Sequence, residues 1–289
     1  MWADLQQQIE QLTGREFVIR DRIPISGGNI NQTYHLSDGQ QDYFVKLNTA
    51  NKVGMFEAEA LGLQAIHNCQ SIRVPQPLGW GITGDQSYLI LEWIALGQGD
   101  QQSWRKMGQQ LAAMHRHSSD QGWGWHQNNT IGATPQLNPW MEDWAQFYTH
   151  HRLGYQLQLA QRRGGHFTRG ETLLARIPEI LANHQPQSAL VHGDLWSGNA
   201  AFSRTGQPII LDPAVYYGDR EVDIAMTKLF GGFPAAFYQG YQEAWPLEKG
   251  YEKRQILYNL YHILNHFNLF GGGYASQAQG MMEQILAVD

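Results

Sequence analysis

Between Ala189 and Asn199 the chain reads ALVHGDLWSGN, an apolar approach followed by a His, an Asp and an Asn in close succession. Asp194 can take a proton from a hydroxyl, and Asn199, five residues on, can offer oxygen to a hard cation. Asp212 lies thirteen residues further along, directly after the apolar run PIIL, and supplies a second oxygen ligand. A base and two oxygen ligands suit transfer of a phosphoryl group from a nucleotide. That chemistry also needs a loop over the phosphates and a cation on their oxygens.

Both occur upstream, in the order such a site requires. Ser26-Gly27-Gly28-Asn29-Ile30-Asn31 joins two strand-like stretches, and its glycines let backbone approach phosphate closely. Lys46 is the lone cation of the strand YFVKLN. A carboxylate should hold its ammonium, and the following helical segment MFEAEALGL offers Glu57 and Glu59. Glu59 is preferred, because Leu63 and Ile66 continue its face of the helix toward the sheet. Asp223 in GDREVDIAM is read as support, accepting hydrogen bonds from the loop backbone and holding Asp194 still; His192 is assigned a supporting place beside it. Each residue alone has an ordinary explanation as a turn former, a cap or a surface charge. Their order and spacing together carry the argument.

These side chains need a scaffold. At 289 residues, with 42% hydrophobic and 16% charged residues, the chain has the composition of a folded two-lobe protein. Its net charge of −6 predicts no general attraction to nucleic acid or anionic membrane. Cys69 is the single cysteine, so no internal disulfide can form, and a cytoplasmic location is expected. No secretory signal or membrane span is visible. Residues 17–25, 30–37, 42–48 and 87–94 read as strands, and 55–66 as a helix. From Leu96 onward, five amphipathic helical stretches dominate, interrupted by short strands at Ala200–Phe202 and Pro208–Leu211. The expected fold is α+β: a β-rich nucleotide-binding lobe with one helix over residues 1–95, and a helical catalytic lobe over 96–289.

Other residues are read more plainly. His262 and His266 have metal-ligand spacing but no third ligand, and are taken as helix packing, like His115, His117, His150 and His151. Trp123, Trp125 and Trp196 are expected to line the site, and Trp140 and Trp144 to pack in the core. Gly271-Gly272-Gly273 marks a helix break.

The chain resembles the fructosamine kinases, or ketosamine-3-kinases, of the protein-kinase-like superfamily that includes aminoglycoside and choline phosphotransferases. Lys46, Glu59, HGDLWSGN and Asp212 carry the superfamily pattern. GGNIN, NTIGATPQLNPWMEDWAQFYTHHRLGYQL and DPAVYYGDREVDIAMTKLFGGF carry the closer likeness, which runs from about Gln6 to the last helix. The resemblance implies a protein-kinase-like two-lobe fold with ATP in the cleft, and γ-phosphate transfer to the O3 hydroxyl of a ketosamine. The phosphorylated adduct then falls apart and frees the amine. It implies Asp194 as base, Asn199 and Asp212 as Mg²⁺ ligands, and Lys46 on the α- and β-phosphates. Glu92-Trp93-Ile94 would be the hinge meeting adenine, with Trp196, Tyr216 and Tyr217 shaping the sugar pocket. A monomer is expected. Some members carry a cysteine where this chain has Asn29, so a thiol link from that position is not expected here. Negative charge at Asp194 and Asp212, with Asp219 or Glu221 added, suits an amine-bearing acceptor.

Overall fold

A computed structural model describes residues 1–26 and 30–287. Its elements in chain order begin with α1 (Trp2–Thr13), β1 (Asp21–Pro24), β2 (Gln32–Ser37), β3 (Asp42–Thr49), α2 (Val53–Asn68), β4 (Pro77–Thr83), β5 (Gln86–Glu92) and β6 (Leu96–Gly97). Next come α3 (Gln101–His115), the hairpin β7 (Asn129–Ile131) and β8 (Thr134–Gln136), α4 (Trp144–Tyr148), α5 (Tyr155–Arg162) and α6 (Gly170–Leu181). The chain then runs through β9 (Ser188–Val191), β10 (Ala200–Ser203), β11 (Pro208–Ile210) and β12 (Tyr216–Asp219). It ends with α7 (Glu221–Met226), α8 (Ala235–Ala244), α9 (Tyr251–Phe270) and α10 (Tyr274–Leu286).

The first lobe is an antiparallel sheet of order β1-β2-β3-β5-β4. The interior strand β5, between β3 and β4, reads QSYLILE, apolar on both faces, because both faces are covered. Leu89 and Leu91 pack with Phe56, Leu63 and Ile66 of α2, while Tyr88 and Ile90 pack with Leu5 and Ile9 of α1. The sheet therefore carries two helices, not the single one expected. α1 is mostly polar, but its Leu5 and Ile9, four apart, form a stripe that is fully buried. β4 has no clear strand signal in the sequence, because Pro77, Gly79 and Gly81 weaken it; it survives as an edge strand with a register shift at Pro77–Gly79.

The second lobe is helical, with its core running continuously beneath the first. Asp100 caps α3, accepting from the Ser103 amide at 2.8 Å, and Asp143 caps α4 in the same way. α3 and α8 cross with backbones in contact. A Cβ on Gly108 would stand 2.1 Å from the Phe237 carbonyl oxygen, and one on Gly240 2.0 Å from that of Arg105. Between α4 and α5 the helix widens into a π turn over Thr149–Gly154. No described helix is long and apolar enough to cross a membrane.

Candidate active site

A short circuit of strands builds the site. β9 delivers the chain to His192, and β10 and β11, paired from Ala200↔Ile210, return it to Asp212. β12 then pairs back on β9, with Tyr216 opposite Val191. The Leu211 amide donates to the Asn199 carbonyl at 2.9 Å, which places Asp212 beside the loop that carries Asp194.

His192 anchors that loop. Its Nε2 faces the Leu211 carbonyl at 2.8 Å and its Nδ1 accepts from the Asp194 amide at 3.2 Å, so the ring is neutral with its proton on Nε2. Burial holds its pKa below the usual histidine value, in agreement. Asp223 sits beneath the loop, accepting from the amides of His192 (2.7 Å) and Gly193 (2.9 Å) and from His115 Nε2 (3.0 Å). Burial opposes its ionisation, but these donors, led by His115, outweigh it and hold the carboxyl below its usual range. Gly193 has φ +82°, and a Cβ there would lie 2.2 Å from the Ala214 carbonyl oxygen, so no other residue fits.

Asp194 has the opposite environment. Burial first, then the nearby charges of Asp212 and Asp223, push its pKa up to about 7, against a smaller opposing pull from Asn199. The Asn199 amide donates to the Asp194 carbonyl at 2.8 Å, which turns its Oδ1 the other way. Lys46 is buried and bridges two carboxylates, Glu59 at 2.8 Å and Asp212 at 2.7 Å. Burial disfavours its charge, but Asp212 and Glu59 overcome this and hold the ammonium above its ordinary range. Glu57 is exposed and takes no part.

Two cavities meet at these residues. One, of about 430 Å³, is lined by Phe44, Leu91, Glu92, Trp93, Ile94 and Leu96, an apolar slot of the size and character that suits a nucleobase. Trp93 is held by stacking on His35, ring centroids 3.9 Å apart, and the Glu92 carboxylate is tied to Arg73 at 2.6 Å. The other, of about 470 Å³, is lined by Asp194, Asn199, Glu59, Trp196, Phe230 and His266. Lys46, Asp212, Ile30 and Asn31 line both. Gly27, Gly28 and Asn29 lie outside the described residues.

Several sequence expectations change here. Tyr216 lines neither cavity; it is buried, with the Arg152 guanidinium 3.9 Å from its ring. Tyr217 alternates to the other side of β12 and packs on Trp125 and Trp140, also away from both cavities. Trp123 and Trp125 are buried packing residues. Asp219 and Glu221 do not add charge to the cleft: Asp219 pairs with His184 and Glu221 with Arg254, all buried. In contrast, His266, Phe230 and Asn129 line the second cavity, and His115 supports Asp223, although the sequence offered only helix periodicity or loop polarity for them.

Asp212 and Asn199 offer hard oxygen atoms with no thiolate or imidazole among them, a donor set that fits Mg²⁺. A β-sheet lobe over a helical lobe, with a lysine–glutamate pair, a loop carboxylate and further oxygen donors at the junction, has the architecture of the kinase-like fold. Comparison agrees: an aminoglycoside phosphotransferase crystallised with ADP and hygromycin B shares the fold at TM-score 0.67 over 98% of each chain, with 15% identity. The chain belongs to the fructosamine kinase family, whose model matches residues 1–288. It is 58% identical to a probable ketoamine kinase of Synechocystis sp. over 99% of this chain and 97% of that one. It is 43% identical to a chloroplastic protein-ribulosamine 3-kinase of Arabidopsis thaliana, covering 91% and 81%. A crystal structure from Haemophilus somnus, provisionally named a fructosamine-3-kinase, matches at TM-score 0.94 and 32% identity over 99% and 98%. The protein is thus a kinase, with ATP as co-substrate.

Proposed function

We propose that this kinase transfers the γ-phosphate of ATP to the O3 hydroxyl of ketosamines, free or on protein lysines, as a monomer in the cytoplasm. The division near residues 95 and 96 would separate a nucleotide-binding lobe from a catalytic lobe. The observation that carries the reading is the sharing of Lys46 and Asp212 by both cavities, with Asp194 confined to the acceptor side. A phosphate placed at Lys46 is therefore reachable from a hydroxyl held at Asp194.

Asp194 accepts the hydroxyl proton, and a pKa of about 7 matches a base working near neutral pH. Lys46, held by Glu59, grips phosphate oxygens. Asp212 and Asn199 would hold Mg²⁺, which supplies neutralisation of phosphate charge. Glu92, Trp93 and Ile94 frame the adenine side, and Ile30 and Asn31 close over the junction. The carboxylates beside the acceptor cavity favour a substrate bearing an ammonium, as a ketosamine does. Phosphate on O3 then weakens the sugar–amine linkage, so the amine is regained.

The test is a panel of acceptors with ATP consumption as readout: ribulosamine, erythrulosamine and fructosamine adducts beside choline and an aminoglycoside. Turnover on the sugar adducts is expected. Turnover on choline or the aminoglycoside alone would move the protein to a different acceptor class.

A further inference from the structure

Asp212 is the feature that calls for explanation. Its φ is +53°, left-handed backbone that few non-glycine residues adopt and that is kept where the surroundings enforce it. Upstream, Leu211 is pinned by Asn199 and His192. Downstream, the Ala214 amide donates to the His192 carbonyl at 2.8 Å. The next two restraints come from elsewhere in the chain. Gln136 Nε2 donates to the Ala214 carbonyl at 3.0 Å, and Asn129 Nδ2 to the Val215 carbonyl at 2.8 Å.

Gln136 and Asn129 face each other across the β7–β8 hairpin. Their orientations are set by a directional chain of amides. Arg152 is fully buried, and its acceptors among the described residues are the Leu137 and His151 carbonyls and Asn138, none of them a carboxylate. Its guanidinium can only donate, so it fixes Asn138 with Oδ1 toward Nη2 at 2.7 Å. Asn138 Nδ2 must then donate to Asn129 Oδ1, at 2.9 Å, which Gln136 Nε2 also reaches at 2.9 Å. Asn129 Nδ2 is thereby left to face Val215. Tyr261 donates to Gln136 Oε1 at 2.7 Å and fixes that amide as well. An uncompensated buried cation is expensive. Here the π turn, the carbonyls of Leu137 and His151 and the faces of Tyr216 and Phe147 hold one at the head of a polar chain that ends two and three residues past Asp212.

We propose that Gln136 and Asn129, oriented by Asn138 and Arg152, are positioning residues that hold the strained Asp212 turn in register with Asp194. The proposal rests on the phosphotransfer reading, because it acts through the residue assigned there to Mg²⁺.

Gln136→Glu replaces the donating nitrogen with oxygen at the same shape, and Gln136→Met removes it without adding charge. Steady-state kinetics would be read beside calorimetry of ADP with and without Mg²⁺. Misplacement of a catalytic group by about 1 Å costs on the order of 10²-fold, so kcat should fall by about that factor in both variants. The Mg²⁺ enhancement of ADP affinity should shrink at least about threefold, while metal-free ADP affinity and acceptor KM stay within about twofold. Wild-type kcat and Mg²⁺ enhancement in Gln136→Met would overturn the proposal. So would a parallel loss of every parameter together with the melting temperature, which marks a merely structural role. If the unaltered protein phosphorylates no ketosamine, the functional reading fails, yet the calorimetric comparison still decides the positioning role.

Discussion

Replacing Asp194 by Asn should inactivate the protein and make it more stable, and the size of the gain follows from its surroundings. In the folded protein the carboxyl titrates at about 7, while in the unfolded chain it titrates at about 3.9. Roughly three pH units correspond to about 4 kcal/mol at 1.36 kcal/mol per unit. The carboxylate is walled in but opens onto the cleft, so water screens part of that cost, and about 2 kcal/mol is a fair expectation. The sign is that of a raised carboxyl. Folding carries no penalty below the unfolded pKa, and the penalty grows as pH rises through the window between the two values. The side-chain amide of the Asp194→Asn variant cannot ionise and so escapes that penalty. Urea unfolding of both proteins, free of nucleotide, at pH 4, 6 and 8 checks this. The variant should match the parent at pH 4 and exceed it by about 2 kcal/mol at pH 8, with kcat lower by roughly 10²–10⁴-fold. Equal stability at pH 8 would refute the electrostatic account of Asp194. Retained kcat would refute its assignment as base.

A base at Asp194 also predicts that kcat/KM for the acceptor falls toward acid pH as the carboxylate takes up its proton, read from a pH–rate profile at saturating ATP. Lys46→Met strips Glu59 of its buried partner; a loss of about 3–5 kcal/mol in urea unfolding and a rise in the KM for ATP are expected. Asp223→Ala removes the acceptor of two loop amides and His115, so kcat should fall by about 10²-fold with acceptor KM little changed, read by steady-state kinetics. Chelation of Mg²⁺ by EDTA should abolish transfer, and titration of Mg²⁺ back should restore it.

The grouping most legible in the sequence was the part written locally. Asp194, Asn199 and Asp212 are close in the chain, and a turn plus one hairpin suffices to join them. Lys46 and Glu59 were legible because a strand–helix unit fixes which face of α2 meets β3. Groups joined over long separations were not. His115 reaches Asp223 across 108 residues, and Gln136 reaches Ala214 across 78, with nothing in either local pattern to announce a partner. Tyr216 misled by neighbourhood: it follows Asp212 closely, but strand alternation in β12 turns it into the core. α8 escaped notice because Pro234 and Gly240 lower its helical signal, although both have structural uses, one before its first turn and one in its crossing with α3.

That crossing reaches further than its place in the fold suggests. α3 ends at His115 and α8 carries Tyr241, and the two side chains meet at 2.8 Å only because the helices touch at Gly108 and Gly240. A single methyl group at either glycine would lever the helices apart and draw the imidazole away from its carboxylate. Alanine, the mildest of substitutions on most helices, would there silence the enzyme from a distance. A survey of tolerated mutations should find these two positions as unforgiving as the cleft itself.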